Sequence, residues 1–336
     1  MTFISTIDMV RLSAGQFAGM KHVNIYGRNN DIGTATTPET IWSSSGLITP
    51  PTAARRHDIK SNSVQDKGTL IETGTIKTVN VLSDGNIQIG DTAATFVTNG
   101  AAVGDALLND TAFDHSVIVS VDSETQITVQ PFHDDKDLTL LDTYRVVQQN
   151  GTGAAVAHIF GLDGSCNEAG EFIIMNGKTN VATINSYIRI NDFHTDLAGS
   201  GNKNADYMTA TAQTDATVTS YIAQGDGKAA QAFYTVPNGK TAFVTNIWLE
   251  ALRPGTTGQA MVSAELRQTK FIPEGSVRIL EEPIGVSLEG SSFNQKDFKP
   301  FKVFKQRTDI WLECDYVTDN NMIVSGGFDI ILVDNE

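Results

Sequence analysis

An all-β protein is what this sequence predicts, on three observations. Apolar residues recur with period two in short runs such as IKTVNVL (76–82), HSVIVSV (115–121), EFIIMN (171–176), TAFVTNIWLEAL (241–252) and GGFDIILV (326–333). Each run can bury one face of a sheet and wet the other. Glycine (29 residues), asparagine and aspartate separate the runs, which is turn chemistry at the spacing of short strands. Helical periodicity is confined to AAVGDALLN (101–109) and DGKAAQAF (226–233), a turn or two each.

With 336 residues the chain exceeds one ordinary domain, and three zones emerge. Residues 1–66 are irregular and read as an extended N-terminal arm with a first strand segment. Within them ITPPTAARR (48–56) forms a rigid turn, because Pro50 and Pro51 fix φ and bias Thr49 away from helix. Residues 67–149 hold five or six short strands, enough for a small β-barrel-like module. SNSVQD (61–66) stops abruptly before that module and NGTGAAVAHIFGLDG (150–164) resumes after it. The module is therefore expected to be an insertion whose two ends are neighbours in space. Residues 150–336 carry longer strands suited to a β-sandwich of jelly-roll or related type. In that zone PNGKT (237–241) lacks the first glycine of a phosphate loop, since Tyr234 stands there, and Asn238-Gly239 reads as a hairpin turn.

Charge and motif content narrow the function classes. Lys plus Arg number 24 against 39 Asp plus Glu, a net charge of -15, which repels phosphate backbones, so no nucleic-acid partner is expected. No run approaches the roughly 18 to 20 apolar residues that cross a bilayer, and no membrane partner is expected. The opening MTFISTIDMVRLSAGQFAGM is broken by Asp8 and Arg11 and has no basic leader, which reads as a chain made in a cytoplasm without a secretory signal. Cys166 and Cys314 exclude a disulfide scaffold and read as buried free thiols. Six scattered histidines show no i, i+4 pair and no HExxH, so no metal site is expected from spacing. HDDKD (133–137) lacks the glycine and terminal glutamate of a calcium loop. GSCNEAG around Cys166 offers no base. No catalytic residue and no cofactor are expected, and His133, Asp134, Asp135 and Cys166 should be dispensable.

Trp248 and Trp311 lie in alternating strands and read as core or interface anchors. The stretch YGRNNDIGTATTPETIW (26–42) is different: dense in amides and hydroxyls, poor in titrating groups, and closed by an Ile-Trp pair. Residues 1 to about 50, which contain it, are expected to form a docking arm rather than a catalytic loop. Tyr26, Arg28, Asn29, Asn30 and Asp31 would supply polar contacts, and Ile41 and Trp42 the apolar anchor.

This stretch, followed by a glycine and Thr-Pro-Pro, resembles the N-terminal segment of a family of phage virion structural proteins. The resemblance continues through SNSVQD, then GTGAAVAHIFGLDGSCNEAGEFIIMNGKTNVATINSYIRIND, AFYTVPNGKTAFVTNIWLEAL and TDIWLECDYVTDNNMIVSGGFDIILVD. It covers most of the chain outside 67–149, which itself looks like a small β-module of phage structural proteins. The resemblance implies a non-enzymatic oligomeric component of the virion, with the major capsid protein or other virion proteins as partners. A capsid decoration or cement protein, trimeric, is the expectation. The rivals are a tail or head fibre adhesin that binds host glycans through loops such as GSGNKNADY (199–207), and a glycan-cleaving virion enzyme.

Overall fold

The computed structural model describes residues 17–34, 38–132, 138–254, 260–270, 277–288 and 291–335. Among these the only helix is the single turn Phe96–Asn99, and all other regular structure is antiparallel strand. The all-β expectation holds. His133, Asp134 and Asp135 lie outside the described residues.

The first core is a sandwich of two sheets. One has the order Met20–Ile32, Met322–Asp334, Lys240–Leu252, Ser291–Phe304. The other runs Phe233–Thr235, Thr308–Val317, Ala260–Lys270, Ile279–Leu288, with Glu39–Thr40 added alongside Thr308–Val317. Period two sets which side chains enter the core: Ile247, Leu249 and Ala251 from one sheet meet Val262, Ala264, Leu266, Ile310 and Leu312 from the other.

A second, smaller core lies between the three strands Glu168–Ile174, Ala154–Leu162 and Arg189–Ala198, and the sheet Val181–Ala182, His57–Ser61, Met208–Ala212, Val218–Ile222. Ile59, Ile159, Ile173, Tyr187, Phe193 and Met208 fill it. The residues from 150 onward thus divide between two cores, where the sequence suggested one sandwich region. The strand His57–Ser61 belongs to the second core, while Met20–Ile32 belongs to the first.

The segment between Gly68–Thr75 and Thr143–Gln149 forms one seven-stranded sheet with its own core of Ile76, Ile89, Phe96, Leu107, Ile118, Ile127 and Tyr144. Its strand Ala106–Asn109 corrects the helical reading of 101–109. Leu107 packs into the module's core, while Ala106 and Leu108 pack the other way against Val156, Phe172 and Leu197. A strand buried on both faces shows a continuous apolar run, which periodicity does not distinguish from a buried helix.

The two ends of this module meet at Asp66, a fully buried carboxylate. Its Oδ1 accepts from the backbone N–H groups of Ala154 (2.5 Å) and Ala205 (2.8 Å), and its Oδ2 from the Ser61 hydroxyl and the Asp206 N–H. Gly153 donates its N–H to Gln65 O at 3.1 Å. Each such bond satisfies a group that would otherwise be buried unpaired.

His57 gives the fold a pH dependence of known sign. It is fully buried, with Nδ1 donating to Arg55 O at 3.0 Å, and burial lowers its pKa from 6.5 to about 4. Between these values the unfolded chain binds the proton and the folded chain does not, so stability falls as pH drops from 6.5 towards 4. The expected loss is up to about 3 kcal/mol, at 1.36 kcal/mol per pKa unit. Denaturant midpoints over that range check it: His57→Gln should flatten the dependence, and an unchanged slope would contradict the assignment.

Candidate functional site

The strand Met20–Ile32 is the edge of the four-stranded sheet, antiparallel to Met322–Asp334 with Tyr26 opposite Gly327 and Arg28 opposite Ser325. Alternation turns Ile25 and Asn29 inward and leaves Asn24, Tyr26, Arg28 and Asn30 exposed on the outer face. Trp248 also lies opposite Gly327, from the other side. The glycine leaves a gap in which the Tyr26 and Trp248 rings stack at 5.8 Å and 20°. A Cβ at 327 would lie 3.0 Å from the Trp248 ring and 2.1 Å from Ile25 O, so no other residue permits this approach. Phe293 extends the stack, 6.3 Å from Trp248. Tyr26 is 40% and Phe293 59% exposed, and the result is an aromatic row across a rigid sheet.

Polar rows flank the aromatics. Asp329 accepts from Asn24 Nδ2 and Asn246 Nδ2, both at 2.7 Å, which fixes the carboxylate and two amides in one plane of the surface. On the other side Arg28 Nε donates to Asn30 Oδ1 at 2.8 Å. Beyond the strand's free edge, a cleft of about 550 Å³ separates Asn24, Tyr26 and Arg28 from Phe160, Asn191 and Asp192.

Of the residues the sequence nominated, Tyr26, Arg28, Asn30 and Asp31 are exposed on this strand. Asn29 is buried and structural: its Nδ2 donates to Glu39 Oε2 (3.1 Å) and Ser44 O (3.2 Å), and its Oδ1 accepts from Asp31 N (2.9 Å). Ile41 and Trp42 are not docking anchors. They are 0% and 3% exposed, and Ile41 belongs to the first core. Ile41 N donates to Leu312 O at 3.1 Å, Ala232 N donates to Ile41 O at 2.8 Å, and Trp42 Nε1 donates to Gly46 O at 3.0 Å. The reading of an extended docking arm therefore fails over 20–32 and 39–42, which pair with other strands of the same chain. Gly27 is part of the reason: a Cβ there would sit 2.0 Å from Ile41 O, so this glycine lets the two segments cross. Residues 1–16 and 35–37 lie outside the described residues.

Trp248, which the sequence marks as a core or interface anchor, and Phe293, which it does not single out, complete the face. Trp248 shares its phase with half-buried Asn246 and exposed Glu250, the signal that it looks outward. The loop proposed for glycans spends one of its two amides internally: Asn204 is fully buried, and its Nδ2 donates to Asp206 O and Ala223 O, whereas Asn202 is exposed.

Reactive groups elsewhere are muted. Cys166 and Cys314 are buried free thiols, and burial raises both pKa values, that of Cys314 to about 12, which opposes thiolate chemistry. The histidines are less scattered than their spacing suggested. His158 lies directly across from His194 on the neighbouring strand, ring centroids 5.3 Å apart, and Asp196 is beside them. Burial opposes the charge on His194, yet the carboxylates of Asp192 and Asp196, 3.3 and 3.8 Å from its ring nitrogens, outweigh it and raise its pKa to about 9. Comparison of the chain with protein-family models, with curated proteins and with solved structures finds no match.

Proposed function

We propose that the protein is a structural component of a bacteriophage virion, of the capsid decoration or cement type, and that it docks through the outer face of its four-stranded sheet. The observation that carries this reading is the surface row of exposed Tyr26, half-buried Trp248 and exposed Phe293 beside Arg28. Aromatic residues and arginine are the types enriched at interface cores. Here the rings already stack on one another and the flanking amides are already tied to Asp329, so little side-chain entropy is lost when a partner covers them. The partner is the major capsid protein or another virion protein, and the assembled form is a homo-oligomer, a trimer by the expectation above. No chemical step is assigned to the chain.

A second reading, a fibre adhesin for host glycans, is favoured by the cleft beside Tyr26, where amides and the Phe160 ring converge. Saturable binding of a host envelope glycan, lost with Tyr26→Ala, would decide for it.

The docking reading is tested with the double variant Tyr26→Ser, Phe293→Ser. Both side chains are exposed, so the unfolding midpoint should be nearly unchanged. Sedimentation and particle-attachment assays should show association weakened at least thirtyfold, on the order of the 2 kcal/mol of one hot spot. Wild-type association of the double variant would exclude this face as the interface.

A further inference from the structure

The seam between the seven-stranded module and the three-stranded sheet gathers side chains that the docking role does not use. His158 projects from the middle strand, and His194 and Asp196 from its neighbour. One donor atom from each of the three lies within 4.8 Å of the other two. Four-coordinate zinc, with bonds of about 2 Å, places its ligand atoms about 3.3 Å apart, so small side-chain rotations close these three donors on an ion.

The surroundings are those of a metal-binding histidine. His194 Nδ1 lies 3.3 Å from Asp192 Oδ2, and Lys228 Nζ holds the same carboxylate at 3.2 Å. That contact leaves His194 Nε2 facing Asp196 Oδ1, 3.8 Å away. A carboxylate on one imidazole nitrogen fixes the ring and raises the basicity of the other, which is the usual outer-shell arrangement. His115, carried by the seven-stranded module, places Nδ1 3.0 Å from Asp196 Oδ2. Phe160 and Phe172 flank the His158 ring at 4.1 and 4.2 Å, with Phe113 at 5.7 Å, so one wall of the site is apolar. His158 is buried, whereas His194 and Asp196 keep 25% and 13% of their side-chain surface, which gives an ion a way in.

We propose that His158, His194 and Asp196 bind a divalent transition-metal ion, zinc by donor type, with water in the fourth position. Two imidazoles and one carboxylate suit zinc over calcium or magnesium, which take oxygen donors. Because His115 reaches Asp196 from the other side of the seam, the bound ion would also fasten the seven-stranded module to the three-stranded sheet.

The test uses the full chain stripped with chelator and titrated with Zn²⁺, then with Co²⁺ read by visible absorption. The expected result is saturable uptake of one ion per chain, the absorption bands of four-coordinate cobalt, and a higher unfolding temperature with the ion bound. His194→Gln and Asp196→Asn should abolish saturable uptake. Asp192→Asn, which alters only the outer shell, should weaken it about 10- to 100-fold. Absence of saturable uptake by the wild type, a cobalt spectrum of the fully hydrated ion, or undiminished uptake in folded His194→Gln would each overturn the assignment. Should that variant fail to unfold cooperatively in chelator, the wild-type cobalt spectrum and the Asp192→Asn affinity decide.

Discussion

Asp309→Ala is expected to destabilise the protein by about 3–5 kcal/mol, the range for removing one partner of a buried ion pair. Asp309 and Arg189 keep only 4% and 7% of their side-chain surface. Arg189 Nε donates to Asp309 Oδ1 at 2.9 Å and Nη2 to Oδ2 at 2.8 Å, a two-pronged geometry with charge-assisted bonds. Thr235 Oγ1 adds a third bond to Asp309 at 2.6 Å, and Arg189 Nη1 reaches Pro51 O and Ile188 O. The pair joins a strand of the second core to a strand of the first, so its loss should lower the coupling between the two cores as well as the total stability. Chemical denaturation followed by two probes, one in each core, checks this. The double variant Arg189→Met, Asp309→Leu should recover part of the loss, since no buried charge is left unpaired. A single variant within about 1 kcal/mol of wild type, the size of an exposed pair, would show that water reaches the site.

Trp42→Ala has a comparable expected cost, about 3–5 kcal/mol for deleting a buried large aromatic. The indole is 3% exposed and its N–H is satisfied by Gly46 O, so truncation leaves both a cavity and an unmade bond. Unfolding and assembly should therefore fail together along a denaturant series. Intact unfolding with lost assembly would restore Trp42 as a docking residue and contradict its place in the core.

Trp42 also shows where sequence reasoning ended. Period-two alternation exposed the strands themselves, since a half-buried strand writes its burial into the order of its residues. Strand partners are written nowhere locally. YGRNNDI carries one isoleucine, one glycine and two amides, so it reads as loop; its pairing with residues near the far end of the chain makes it strand. For the same reason the two cores beyond residue 150 look alike in sequence, because both are built with one period. The exposed residues Tyr26, Arg28, Asn30 and Asp31 of the strand Met20–Ile32 were legible, but not the strand's partners, because Gly327, which admits the Tyr26 and Trp248 rings, is some 300 residues away from Tyr26 in the chain. The histidine cluster was invisible: His158 and His194 meet through strand register, and His115 arrives from a separate module.

The proposal that this chain is a high-copy structural part of a phage particle is tested most directly by a quantitative protein census of phage particles purified from a lysate in which the chain is expressed. The account predicts the chain in every particle at a fixed, high ratio to the major capsid protein. Absence from purified particles, or only a few copies in each, would contradict it.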